Sequence, residues 1–158
     1  MSRTDAFLRQ HWLLENVQEN EAAQAVAAIS HAAFHEGDVL VRQGDPSDGV
    51  YLIADGTVRI SAASQTGQTF LSVVRPGELL GELGVLDGEP RSATATAMSD
   101  GEAYFVPTDT FLHLLDISSA ASRHLMLLLA TRLRQTNERM MQLPPPRPVQ
   151  RRTMPIRP

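Results

Sequence analysis

The chain has 158 residues, 42% of them apolar and 20% charged, with a net charge of −4, which fits one globular domain of ordinary size. It has no cysteine, which excludes disulfides, thiolate metal sites and cysteine-held iron–sulfur clusters, and no run of about 18 apolar residues that could span a membrane. Arg147, Arg151, Arg152 and Arg157 fall in the last fifteen residues with no acid beside them, leaving −8 on residues 1–143; an acidic body repels nucleic-acid phosphates but leaves room for a local anion site.

The opening sequence MSRTDAFLRQHWLLENVQEN lacks the apolar run and cleavage site of a secretory signal, so a cytoplasmic location is expected. Residues 5–33 predict helix. Leu13, Leu14, Val17, Ala22, Ala23, Val26, Ile29 and Ala33 recur at near-helical spacing without Gly or Pro. Asn16 or Asn20 is a candidate cap for a second helix there.

Residues 34–107 read as strands. All ten glycines fall between Gly37 and Gly101. Short runs rich in β-formers lie between them: Val39–Val41, Val50–Ala54, Thr57–Ala62, Phe70–Val74, Ala93–Ala97 and Ala103–Val106. Turn signals separate them, and Asp55–Gly56 between two apolar runs predicts a hairpin. Strands at this spacing predict a sandwich or barrel.

Residues 108–143 return to helix. Thr108 or Asp109 can cap a short one, and Ser118 or Ser119 a longer one reaching about Leu143. The longer helix would be roughly 36 Å long at about 1.5 Å per residue. The segment 144–158 holds six of the ten prolines and predicts an extended or disordered tail.

The chemistry concentrates in residues 76–97. A glycine-flanked turn leads into one helical turn, and Arg91-Ser92 then enters a strand. Gly81 permits close approach of the backbone to a ligand. The stretch from Glu82 to Leu86 can form a short helix with free N–H groups at its start. Arg91 offers a planar, permanently charged fork suited to two phosphate oxygens, and Ser92 a further donor. Glu82 is acceptor-only at neutral pH, so it suits a sugar hydroxyl and repels a phosphate. An acid and an arginine around one short helix describe a site for a sugar carrying a single phosphate.

Gly81, Glu82, Leu83, Gly84, Arg91, Ser92, Ala93 and Ala97 together resemble the phosphate-binding cassette of the cyclic-nucleotide-binding domain family. Upstream, Phe34-His-Glu-Gly-Asp-Val-Leu and the run from Gln43 to Ile53 are similar to the first strands of that family's β-roll, so the likeness covers about residues 10–143. The segment between Glu82 and Arg91 is one residue shorter than in the bacterial catabolite activator type. The resemblance implies Arg91 and Ser92 on the cyclic phosphate, Glu82 on the ribose 2′-hydroxyl, and the backbone of Gly81 and Leu83 nearby. The ligand implied is cAMP, with cGMP as the alternative.

Met126, Leu129, Leu133, Thr136, Met140 and Leu143 alternate at spacings of three and four, which is a coiled-coil seam. Residues 130–139 resemble the dimer helix of the catabolite activator type. There a threonine meets the adenine of its own subunit's ligand, and the next residue reaches the ligand across the dimer. Thr136 matches the first, and Asn137 stands where that type has serine. A homodimer through this helix is implied.

The five histidines show no metal-like spacing, so no metal or cofactor is expected. No nucleophile elbow or phosphate-binding loop is present, so an enzyme is not expected. The catabolite activator type places a helix-turn-helix domain after this helix, and a proline-rich tail of fifteen residues cannot supply one; DNA binding by that route is not expected. The expected class is α+β: an antiparallel, jelly-roll-like β-roll of about eight strands, an N-terminal helical segment, a short cassette helix and a long C-terminal dimer helix. Residues 1–143 form the domain and 144–158 the tail. The function expected is a stand-alone receptor that changes conformation and signals to an effector protein. The alternatives are a dimeric interaction module, and a regulator that has lost its effector domain.

Overall fold

A computed structural model describes residues 1–145. The chain divides into two units, Met1–His124 and a second from Leu125 onward.

The first unit opens with α1 (Arg3–Gln10) and α2 (Glu19–Ala28), joined by turns. Ser2 caps α1 by accepting a hydrogen bond from the Asp5 amide at 3.1 Å. Eight strands follow: β1 (Ser30–Phe34), β2 (Val39–Val41), β3 (Gly49–Asp55), β4 (Val58–Ser64), β5 (Gly67–Val74), β6 (Leu79–Leu80), β7 (Thr94–Ala97) and β8 (Gly101–Pro107). The short helix α3 (Glu82–Asp87) lies between β6 and β7, and α4 (Thr108–Ile117) and α5 (Ser119–Gln142) close the order.

Every strand pairing is antiparallel, in two four-stranded sheets of order β1-β8-β3-β6 and β2-β7-β4-β5. This is the α+β β-roll that the sequence predicts. Phe34, Ile53, Leu80 and Ala103 of the first sheet and Val58, Val74, Ala95 and Ala97 of the second form one buried cluster, with Leu40, Val41, Tyr51 and Ile60 packed at its margin. On its other face the first sheet buries Val50, Leu52, Tyr104 and Val106. Helix α4 lies against β3 and β8 there, and the Phe7 ring of α1 stacks on Tyr104 with centroids 5.4 Å apart.

Three expectations are corrected. The helical reading of residues 5–33 breaks twice: residues 11–18 are turns, and Ser30–Phe34 is a strand. The alanine-rich run has helix propensity, but pairing along β8, with His31 opposite Tyr104, overrides it. Asp55–Gly56 is not a hairpin turn, because β3 and β4 belong to different sheets. It is a corner: Gly56 has φ +83°, and a Cβ there would lie 2.6 Å from the Asp100 carbonyl oxygen. The hairpin is one turn later, where Ser64 pairs with Gly67 across Gln65–Thr66. Among the helix starts, Gln18 and Pro107 hold the cap positions of α2 and α4 without a side-chain bond, in place of Asn16 or Asn20 and Thr108 or Asp109. For α5 the expected serine serves: Ser118 accepts from the Ala121 amide at 3.1 Å.

The second unit is the rest of α5 and the residues after it. Met126, Leu127, Leu133, Met140, Met141 and Leu143 are each more than 60% exposed in the single chain. Pro144 and Pro145 lie outside any helix or strand; the remainder of the expected tail, 146–158, is outside the described residues.

Candidate functional site

Leu79 and Leu80 are fully buried on β6, and the chain then turns at Gly81. Gly81 has φ +87°, a conformation that glycine adopts without a Cβ penalty. A Cβ there would stand 2.2 Å from Arg91 Nη1. The missing side chain therefore makes the space in which the guanidinium lies.

Arg91 is only 5% exposed. Its Nη1 donates to the Gly81 carbonyl oxygen at 3.1 Å, and its Nη2 donates to Asp48 Oδ1 at 3.0 Å. Two of five N–H donors are thus engaged, and the carboxylate partner is itself 75% exposed. The Arg91 backbone is fixed as well: its amide donates to the Asp45 carbonyl at 2.8 Å, and its own carbonyl accepts from the Gly44 amide at 2.9 Å.

The loop 44–49 is the second half of this site. Ser47 Oγ donates to the Glu89 carbonyl at 2.8 Å. The Thr108 amide holds the Asp48 carbonyl at 3.2 Å, and a Cβ on Gly49 would strike the Phe105 ring at 2.4 Å. The sequence places this run in the likeness to the first strands of a β-roll and gives no sign of Asp48. Its spacing from Gly44 and Gly49 carries no charge signal by itself; the ion pair depends on a contact 43 residues along the chain.

The other expected residues fall around this pair. Glu82 opens α3 and is 2% exposed. Leu83 is about half exposed at 49%. Gly84 is a packing residue, since a Cβ would lie 1.9 Å from Ser47 Oγ. Ser92 is exposed and Ala93 half-buried just before β7. Gly81, Glu82 and Arg91 are therefore brought together. Thr136 and Asn137 are exposed on α5 in the second unit, and the Thr136 hydroxyl donates to the Arg132 carbonyl at 3.0 Å.

Tyr51 is a further residue that sequence reasoning passed over. Its ring meets Phe105 with centroids 5.1 Å apart. Burial, then the nearby Asp48 carboxylate, raises its phenol above the usual value, and Arg91 opposes this. Tyr51 also lines a cleft of about 270 Å³ with Phe34, Leu40 and Ala103.

Among the described residues no cluster of His, Asp or Glu has the makings of a metal site, and no helix is long and apolar enough to cross a membrane.

The sequence profile of the family described as "Cyclic nucleotide-binding domain" matches residues 32–118. The chain is 26% identical over 140 residues to the "CRP-like cAMP-activated global transcriptional regulator" of Mycobacterium tuberculosis, spanning 88% of this chain and 62% of that one. It is 32% identical over 126 residues to the "Cyclic AMP receptor protein" of Thermus thermophilus, spanning 79% and 58%. The crystal structure of the Thermus thermophilus Catabolite Activator Protein superposes with a TM-score of 0.68 at 30% identity, over 81% of this chain and 61% of that one. The chain therefore spans about three fifths of the length of these relatives.

Proposed function

The chain belongs to the cyclic nucleotide-binding domain family, and on that premise we propose that it is a receptor for a cyclic nucleotide, with cAMP the first candidate and cGMP the second. On this reading the ligand changes its conformation and the change passes to an effector protein in the cytoplasm. No catalytic residue, metal or cofactor takes part.

One observation carries the reading. Arg91 is a buried cation under a turn that only glycine fits, held by one carbonyl and one largely exposed carboxylate. A desolvated guanidinium with donors to spare suits a singly charged phosphodiester. Arg91 and Ser92 take the phosphate, and Glu82 takes the ribose 2′-hydroxyl through its acceptor-only carboxylate. The backbone of Gly81 and Leu83 lies alongside. Thr136 takes the base, with Asn137 beside it. A ligand can shift the conformation only by binding the two states unequally, and displacing Asp48 from Arg91 is one way to do so.

Both relatives named above carry cyclic AMP in their names, which supports cAMP as the first ligand to try. Calorimetry with cAMP and cGMP on the intact chain and on Arg91→Ala tests this. Loss of charge-assisted bonds should cost about 2–4 kcal/mol, or roughly 30- to 1000-fold in affinity. Arg91→Lys keeps a charge in the site and separates loss of binding from loss of folding. An intact chain that binds neither nucleotide removes the receptor reading.

A second reading is a dimeric interaction module in which nucleotide binding is secondary, including a regulator lacking its effector. The exposed apolar residues of α5 favour it. A homodimer through this helix belongs to both readings, and they part on whether cAMP alters the assembly.

A further inference from the structure

The His11 ring is 8% exposed, and both its nitrogens are engaged. The Leu13 amide donates to Nδ1 at 3.2 Å. An amide N–H can only donate, so Nδ1 is the bare nitrogen and the proton sits on Nε2. Nε2 then donates to the Gly77 carbonyl oxygen at 2.9 Å. Gly77 lies in the turn that opens the cassette: its amide is bonded to the Ile53 carbonyl at 2.7 Å, and Ile53 N in turn donates to the Glu78 carbonyl at 3.0 Å. Four residues on stands Gly81, whose carbonyl holds Arg91.

Trp12 continues the connection. Its ring lies 5.1 Å from His11 and stacks on His124 with centroids 4.4 Å apart and an angle of 13°. His124 is on α5, in the part that belongs to the first unit. A single dipeptide therefore touches the cassette's opening turn on one side and the start of the C-terminal helix on the other. Nothing in the cassette motif requires it.

We propose that His11 and Trp12 form a proton-sensitive latch that fastens the turn at Gly77 to the first turns of α5 at His124. The latch works in the neutral state of His11. A second proton would go to Nδ1 and set N–H against the Leu13 N–H, breaking one bond and placing a charge in a buried site. The charged groups around it are few. His124 faces it across the Trp12 ring, Glu15 bonds through its amide to the His11 carbonyl, Arg75 and Glu78 flank the turn of Gly77, and Arg9 precedes it on α1. Burial holds the His11 imidazole below the usual histidine value; the bond to Gly77 opposes this, and positive charge on His124 adds to it. A histidine lowered in the folded state gives stability that is present above about pH 6.5 and is lost as pH falls through the folded value. Acid therefore opens the latch.

The latch is tested without ligand, so its failure and that of the receptor reading are separate results. Amide hydrogen exchange at residues 77–80 of the full chain is followed from about pH 8 to about pH 5, across the ordinary histidine range. Rates are corrected for the intrinsic pH dependence of exchange. Trp12, the sole tryptophan, reports the same transition by fluorescence. Protection at 77–80 should fall severalfold in acid, with Trp12 emission moving over the same range. Two non-titrating variants decide the cause: His11→Asn, which keeps an acceptor for Leu13, and His11→Gln, which keeps a donor for Gly77. The acid step in exchange should vanish in both, while His124→Gln should keep the step and move it to higher pH. No acid step in the intact chain, or a step that survives both His11 variants, overturns the latch.

Discussion

The cassette and the distal part of α5 treat their side chains in opposite ways. In the cassette, Arg91 and Glu82 are polar groups almost fully buried, and the arginine is tied by main chain and side chain to two segments, the turn at Gly81 and the loop 44–49. In α5 the order is reversed: Met126, Leu127, Leu133, Met140, Met141 and Leu143 are exposed, with Leu128 and Leu129 half-buried among them. A buried cation needs partners, and Arg91 has two of its donors engaged within the fold, so the cassette is a region that holds its own charge. An exposed apolar stripe is an unfinished one, of the kind that marks an interaction surface. The first unit completes its own core, and the helix keeps these apolar side chains exposed in the single chain.

The largest expected effect breaks this contrast from the helix side. Leu133 is 62% exposed and sits in the three-and-four seam with Met126 and Met140. In a dimer through that seam, Leu133→Glu would remove about 1.5–3 kcal/mol of burial from each chain. Both chains carry the change, so the dissociation constant should rise roughly 10²- to 10⁴-fold, as read by sedimentation equilibrium. Affinity for cAMP per chain should change far less. Unaltered self-association would place the seam outside the interface.

A smaller effect comes from the cassette side. In Gly81→Ala the new Cβ meets Arg91 Nη1 at 2.2 Å on a backbone with φ +87°. The guanidinium is buried and bonded to Gly81 and Asp48, so moving it aside costs the contacts that position it. Overpacking of this kind costs about 1–3 kcal/mol, so cAMP affinity should fall roughly 5- to 150-fold while self-association stays as it was. If calorimetry finds full affinity, the space under Gly81 is not part of the ligand site.

The two regions also differ in how much of them the sequence discloses. The cassette is legible because its chemistry is local: Gly81, Glu82 and Arg91 stand within eleven residues and fold back on one another across a single short helix. Asp48 is invisible because its role comes from the fold, which brings a loop from another strand connection to Arg91. The same distinction explains β1 and the Asp55–Gly56 corner. Ser30–Ala33 has no strand signature of its own and is a strand because β8 lies beside it. Asp55–Gly56 has the local chemistry of a hairpin, yet the following strand belongs to the other sheet. His11 carries no local signal of its role, because its bond to Gly77 spans 66 residues. The seam of α5 is legible as a period, but whether a period is core or interface depends on what covers it.

The smallest expected effect sharpens the cassette itself. The Asp48 side chain is 75% exposed while that of Arg91 is 4% exposed, so water screens the acid, and the pair is worth no more than about 1 kcal/mol. In Asp48→Asn the arginine keeps the Gly81 carbonyl and loses a competing carboxylate. The ligand-free chain should therefore lose up to about 1 kcal/mol of stability at neutral pH, and cAMP affinity should rise by up to about fivefold. Thermal melts with and without saturating cAMP distinguish two roles for the acid. If the phosphate takes the donor that Asp48 held, the gap in Tm between intact chain and variant closes once ligand is bound. A gap of equal size in both states would mean that Asp48 stays on Arg91 throughout. The carboxylate would then be a fixed support of the cassette rather than a counter-ion that the ligand displaces.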